Sequence, residues 1–358
     1  MKRLMPFFLL LIVLCVACTS NKDKEHKRPD KEDTRSTLTT NSTAEIVADQ
    51  LQTPWSIQKS GTAFYIAERP GNIVKIEEGA VDRQQVMLKK ELSTAPEAGL
   101  LGFVLAPNFS TAQVAYAYYT YVEGSEQFNR IVTLTLSDNK WQETDLIIDR
   151  IRSGTYHHGG RLQIGPDGKL YAMVGDATQP SLAQNLDALE GKILRINLDG
   201  SVPNDNPFPK SYVYSYGHRN PQGMAWAADG TMYASEHGNS ANDEINLIEK
   251  GKNYGWPIIE GIDQQQGMIT PLYTSGASKT WAPSGMAIVN NQLYVAALRG
   301  SAVLQFDVTN NKQDELFTEF GRIRDVFVEE GYLYFISNNT DGRGNPQSRD
   351  DKLYRTPL

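Results

Sequence analysis

A short apolar strand with a tyrosine near its start recurs along the chain, as AFYIAE, VAYAYYTY, KLYAMVGD, TMYASEHG, QLYVAALRG and YLYFISNN. The tyrosines are Tyr65, Tyr116, Tyr171, Tyr233, Tyr294 and Tyr334, at intervals of 40 to 62 residues, long enough for a unit of several strands per repeat. Turn sequences precede four of them: PDG at 166–168, ADG at 228–230, NN at 290–291 and EEG at 329–331. Glycine and asparagine there suit tight hairpins that need positive φ. A second, alternating segment follows most tyrosine strands, as in NIVKIEEG, RIVTLTLS, KILRINLDG, EINLIEKG and AVLQFDV, the period-two pattern of a half-buried strand. No stretch reads as a long amphipathic helix. Six units of three or four strands predict an all-β chain folded as a six-bladed β-propeller, which closes on itself and leaves few exposed sheet edges. The competing architectures are a large β-sandwich, which would not repeat, and a parallel β-helix, whose usual coil is shorter than this unit.

The first 42 residues follow a different pattern. A basic start leads into an apolar run from Leu4 to Ala17, shorter than the roughly 20 residues that span a bilayer, so residues 1–17 read as a secretory signal. Its end, CVAC, resembles a bacterial lipoprotein cleavage box, which implies cleavage before Cys18 and lipidation of that thiol. The expected location is then the outer face of the bacterial cell membrane, tethered to the membrane surface by lipid rather than spanning it. Ordinary secretion with a free Cys18 is the alternative. Residues 18–42 are charged and polar with almost no apolar content, the composition of a flexible tether. Residues 43–358 form the folded domain, long enough for a large core.

Composition narrows the partners. Cys15 and Cys18 are the only cysteines, so the exported domain has no disulfide and no thiolate site. The formal net charge is −7, and loss of Lys2 and Arg3 with the signal takes it to −9, which argues against nucleic acid as a partner.

Propellers bind ligands in the loops at one end of the central channel, so chemistry is expected just after each tyrosine strand. Polar and glycine-rich clusters fall there or just before: YHHGGR, GDATQ, SYGHRNPQG, SEHGNSANDE, LRGS and GRIRD. Four of the five histidines lie in these clusters, with His26 in the tether. His157 and His158 are adjacent, and an extended backbone would send them to opposite sides, which makes a shared metal site a poor expectation. The glycines that follow them would let ligands approach the backbone.

The segments HHGGRLQIGPDGKLYAMVGD, LEGKILRINLDGSVPNDNPF, YSYGHRNPQGMAWAADGTMYASEHG, DEINLIEKGKNYGWP and GRIRDV, with EAGLLGFVLAPNFS further upstream, resemble the soluble quinoprotein glucose dehydrogenases. More broadly, they resemble the aldose sugar (glucose/sorbosone) dehydrogenases that use pyrroloquinoline quinone (PQQ). The resemblance covers nearly all of 43–358 and implies a six-bladed propeller. It also implies oxidation of an aldose C1 hydroxyl to the lactone, with electrons passed on to an external acceptor. It places the proton-accepting base at His157, a residue type able to be neutral at working pH, and the carboxylate that orients it at Asp176. The positions matching the cofactor contacts are Glu97, Arg219, Asn220, Arg299, Arg322 and Arg324. Arginine suits the three carboxylates of PQQ because its fork pairs with them bidentately, and Arg322 and Arg324 share one face of an extended strand. The resemblance further implies a calcium ion (Ca2+) on the backbone carbonyls of Gly238 and Asn239, supported by Asp243 and Glu244, oxygen donors of the kind calcium prefers.

The chain departs from that pattern in places. Glu97 stands where the soluble glucose dehydrogenases carry glutamine, Tyr156 where they carry an acid, and Asn239 where proline is usual. The sugar-binding loops are short, so glucose is not carried over as the substrate. Two other functions stay open. A non-catalytic propeller that binds a sugar or a partner is favoured by Glu97. A calcium-dependent lactonase would need several carboxylates converging on the axis.

Overall fold

The computed structural model describes residues 44–358. The signal 1–17, the tether 18–42 and Cys18 lie outside the described residues. The chain is all-β: four four-stranded sheets and one of eight strands, with one four-residue helix, Phe109–Ala112, and two short 3-10 turns among the described residues. The eight-stranded sheet is two antiparallel four-stranded halves, Pro54 to Met87 and Leu100 to Arg152, joined where Val86 and Met87 pair in parallel with Trp141 and Gln142.

Every tyrosine strand is the second of its four-stranded unit, and each tyrosine is buried at 4–7% exposure. The alternating segments are the third strands. The last unit obtains its third strand from Leu353–Pro357, which the sequence pattern did not single out. Its outermost strand comes from the other end of the domain: Glu45–Ala48 pairs antiparallel with Leu353–Pro357. Arg355 Nη2 donates to Glu45 Oε2 at 2.5 Å along that seam. The turn residues behave as their chemistry dictates: Asn290 and Asn291 have φ of 48° and 62° between Pro283–Val289 and Gln292–Ala297, the two positive values of a type I′ hairpin.

Packing runs in a circle. The hydrophobic clusters join consecutive four-stranded units: Tyr171 and Met173 meet Met224 and Met232, and Tyr294 and Val303 meet Ile323 and Leu333. The cluster of Ile57, Phe64 and Ile66 with Tyr334, Ile336 and Leu353 joins the last unit to the first. Alternation explains this: one face of each inner strand packs forward and the other backward, so both faces are buried there, while the outermost strands such as Lys312–Leu316 stay largely exposed. Ile336→Val removes one buried methyl from that closing cluster, and urea denaturation is expected to show a loss of about 1 kcal/mol.

The innermost strands, among them Pro54–Ser60, Pro221–Trp226, Pro283–Val289 and Ile323–Glu329, surround the channel. Arg161 crosses it. Its Nη1 donates to Asp325 Oδ2 at 2.9 Å, its Nε to the Gln222 carbonyl at 2.8 Å, and its guanidinium lies 4.2 Å from the centre of the Trp55 ring. Gly285 permits this arrangement, because a Cβ there would lie 1.6 Å from Asp325 Oδ1. Above this plug, at the start of the inner strands, lies the polar cavity described next.

Candidate active site

A cavity of about 250 Å³ opens where the tyrosine strands end. Its wall collects the residue that follows each of several such strands: Arg69 after Ala63–Glu68, His237 after Met232–Glu236, Leu298 and Arg299 after Gln292–Ala297. A backbone turning out of a buried strand must place polar groups there, and the loops can carry them because solvent reaches one side. Six arginines line the cavity against the three carboxylates of Glu97, Asp243 and Asp341, an excess of three positive charges inside a chain of net negative charge.

The arginines are only partly neutralised. Arg322 donates from Nε and Nη2 to Asp341 Oδ2 at 3.1 and 2.8 Å, and from Nη1 to the Leu298 carbonyl at 3.3 Å. Arg324 donates to Gln222 Oε1 at 3.0 Å, but its Nη2 stays 3.9 Å from Asp341. Burial, opposed by the Asp341 charge and reinforced by Arg322, pulls Arg324 down to about 9, so this buried cation gains from an added anion. Both line the cavity as expected, but Arg322 precedes the strand Ile323–Glu329 and Arg324 sits at a register shift between Ile323 and Asp325 rather than on a regular shared face. Asp341 supplies part of the charge that lets the two coexist. Arg219 reaches the His237 and Asn239 carbonyls at 3.3 and 3.4 Å, while its buried Nε has no partner. Burial lowers its pKa as well. Arg299 lies exposed at the rim.

His157 sits beside the cavity, next to the lining residues His158 and Gly159. Its Nδ1 is 2.7 Å from Asp176 Oδ1. Asp176 is fully buried and also accepts from the Thr178 backbone N–H and from Trp256 Nε1, both at 2.8 Å. A carboxylate can only accept, so the imidazole proton resides on Nδ1 and Nε2 presents its lone pair. Trp256 in turn packs under Arg219, with the guanidinium carbon 5.3 Å from the ring centre.

His158 plays a different part. Its Nε2 donates to the Pro96 carbonyl at 3.0 Å and its Nδ1 accepts from Ser153 Oγ at 2.7 Å. Burial pushes its pKa down. The two histidines diverge as expected, but not because the segment is extended: His157 has φ of 64°, the left-handed region. The glycines also differ from expectation. A Cβ on Gly159 would lie 2.5 Å from the Met173 carbonyl, and one on Gly160 2.9 Å from Leu101, so they let the loop pack against neighbouring strands rather than opening it to a ligand.

Asn220 is buried behind the wall, its Oδ1 accepting from Gly159 N at 3.1 Å, so it braces the loop beside His157. Asp243 accepts from Gly238 N at 2.9 Å on one oxygen, and from Thr280 Oγ1, Trp281 N and Ala282 N at 2.8, 2.5 and 2.9 Å on the other. With both oxygens occupied, it fixes the 238–243 loop rather than offering a free ligand. Glu244 begins the strand Glu244–Ile248 and lies away from this cavity, bonded to Gly261 N and Asn246. Burial and the neighbouring Glu236 raise its carboxyl to about 8, and it lines a small adjoining pocket together with Gly238 and Arg219.

Glu97 is ionised in place. Burial opposes this, but the hydrogen bond and charge of Arg343 outweigh it and hold the carboxyl at about 2. Arg343 Nη1 lies 2.6 Å from Glu97 Oε1. Arg69, Asp341, Arg343, His237 and Trp256 were not singled out in the sequence. Arg69 and His237 directly follow tyrosine strands, close to where Arg299 is also found, and that position was their available signal.

A family model described as Glucose / Sorbosone dehydrogenase matches residues 51–354. The chain belongs to the glucose/sorbosone dehydrogenase family. Among the relatives of this dehydrogenase, the aldose sugar dehydrogenase YliI of Escherichia coli is 31% identical over 344 residues, taking in 83% of this chain and 90% of that one. Quinoprotein glucose dehydrogenase B of Acinetobacter calcoaceticus is 37% identical over 213 residues, which is 51% of this chain and 44% of that one. The PQQ-bound form of the aldose sugar dehydrogenase of Streptomyces coelicolor has a TM-score of 0.82 at 32% identity, covering 87% of this dehydrogenase and 96% of that chain. The fold of the family member described here is a β-propeller, and sugar dehydrogenase is its class of activity.

Proposed function

We propose that this sugar dehydrogenase is a six-bladed propeller, the two halves of the eight-stranded sheet being separate blades, and that it oxidises an aldose at C1 with PQQ as its cofactor. The observation that carries the reading is the cavity itself, with its excess of three positive charges beside the His157–Asp176 pair. PQQ has three carboxylates, and the unpartnered Nε of Arg219 with the incompletely neutralised Arg324 are buried donors of the kind such a trianion satisfies. The residues present therefore fit the group, with Arg322, Arg324, Arg219, Arg299 and Arg69 as its cationic contacts.

PQQ when bound supplies the acceptor for the two electrons that leave the sugar carbon. His157 Nε2 accepts the C1 hydroxyl proton, contributing general-base catalysis. Asp176 holds the imidazole tautomer and stabilises the imidazolium formed. The Trp256 and Thr178 donors keep that carboxylate from rotating, and loss of the C1 hydroxyl proton together with hydride from C1 leaves the lactone. Calcium fits in part: the Gly238 and Asn239 carbonyls are suitable donors, but the protein offers few others, so the remaining ligands would come from the cofactor and water. Bound there, the ion would supply Lewis-acid polarisation.

Glu97, the residue most favourable to a non-catalytic propeller, carries its own counter-cation in Arg343 and so does not set the cavity's charge. Asp341 does, because it occupies donors of Arg322. Asp341→Asn is expected to tighten PQQ binding by about tenfold, read as quenching of tryptophan fluorescence.

The reading is tested by incubating the purified chain with calcium and PQQ and following reduction of an artificial dye with a panel of aldoses. Dye reduction that depends on both PQQ and sugar supports it, and absence of any turnover across the panel overturns it. For the N-terminal segment we propose export and lipidation at Cys18, with the dehydrogenase tethered outside the cell where an external acceptor can take its electrons. Loss of labelling by a fatty-acid probe in Cys18→Ala checks the anchor.

A further inference from the structure

Two residues beside the cavity, His157 and Glu97, both hold a left-handed backbone, with φ of 64° and 66°. Neither is glycine, so each conformation costs of order 1–2 kcal/mol and persists only where the surroundings fix it. The surroundings here are one another. Glu97 Oε2 accepts from the His157 backbone N–H at 3.3 Å, and the preceding carbonyl, of Pro96, accepts from His158 Nε2 at 3.0 Å. Glu97 Oε1 is held by Arg343 at 2.6 Å, and the Arg343 guanidinium carbon lies 5.6 Å from the centre of the Tyr156 ring, the residue just before His157. Arg343 is anchored in turn, its backbone N–H donating to Asp341 Oδ1 at 2.9 Å, the same carboxylate that pairs with Arg322.

We propose that Glu97 and Arg343 are positioning residues that clamp the 156–158 loop from across the channel mouth and so set the direction of the His157 imidazole. This rests on the reading of His157 as the base. The clamp draws on three distant stretches of chain, around 97, 157 and 343. It also joins the base loop to the arginines through the short segment 341–343. An ordinary rim ion pair would contribute only about 0–1 kcal/mol to stability and nothing to turnover. A clamp acts otherwise, since a misplacement of about 1 Å at a reacting group costs on the order of 100-fold in rate.

The variants are Glu97→Ala, Glu97→Gln, Arg343→Ala, Arg343→Lys and His157→Ala. Turnover is measured at saturating PQQ, with PQQ affinity and melting temperature measured separately. Saturation matters because Arg343 also contributes charge to the cavity. The expected result is a fall in kcat of about 10- to 100-fold for Glu97→Ala and Arg343→Ala, with KM for the sugar within about twofold. Glu97→Gln, which keeps an acceptor for His157 N, and Arg343→Lys, which keeps the charge, should recover part of it. A second readout needs no turnover: the downfield proton resonance of His157 Nδ1–H in the cofactor-free protein, assigned by its loss in His157→Ala. That resonance should weaken in the two alanine variants through faster exchange. Unchanged kcat and an unchanged resonance in both alanine variants would overturn the proposal, as would losses confined to PQQ affinity. Full turnover in His157→Ala would instead overturn the base assignment, while the resonance still decides whether the clamp holds the ring.

Discussion

His157→Ala lowers sugar-dependent dye reduction by roughly 10²- to 10⁴-fold, the range general-base catalysis supplies, and leaves PQQ affinity within about twofold. The separation follows from the geometry. His157 contacts Asp176 through Nδ1 and Glu97 through its backbone, and the cationic wall does not depend on its side chain. Asp176→Asn should fall in the same range by a different route. An amide can present its N–H to Nδ1, which moves the imidazole proton to Nε2 and removes the lone pair that accepts the substrate proton. Saturation kinetics separate these effects from binding: kcat falls while KM changes little.

The paired variant Arg322→Ala/Arg324→Ala is expected to show the opposite split, weakening PQQ binding by about 10²- to 10³-fold. Each charge-assisted hydrogen bond to a carboxylate contributes about 1.5–3 kcal/mol, part of which the remaining arginines and water recover. Removing Arg322 also leaves the buried Asp341 carboxylate without its main counter-cation, where it would repel the ligand and destabilise the fold. The comparison is therefore also made with Asp341→Asn present, and the loss of affinity should persist there. Titration at rising salt adds a check, because fewer cations at the site give a shallower salt dependence.

Much of the fold is legible in the chain because its signals are local. A tyrosine strand, a turn with asparagine or glycine, and an alternating strand need only their own residues to be recognised, and Tyr65 through Tyr334 all occupy the same place in their units. Ring closure is not local. Glu45–Ala48 and Leu353–Pro357 are short, lie at opposite ends of the domain and identify each other only by pairing. The candidate site divides along the same line. Arg322 and Arg324 are readable because two arginines so close in sequence mark one spot, and both do line the cavity although a register shift at Ile323–Asp325 interrupts the strand face. The partners Asp341 and Arg343 come from a loop whose path no periodicity announces, and their role depends on Arg322 and Glu97 being brought to them. Glu97 read as a misfit among anion contacts for the same reason. Its counter-cation is 246 positions away. Glu244 shares a small pocket lining with Gly238, but its buried grouping with Glu236 and its bond to Asn246 follow from the turn of the loop, which spacing does not announce.

Calorimetric titration of PQQ into the purified chain in the presence of calcium tests the central claim most directly. The account predicts saturable binding at one site per chain, weakened by salt and by Arg322→Ala/Arg324→Ala but not by His157→Ala. Absence of saturable binding, or binding that the paired arginine variant leaves unchanged, would contradict it.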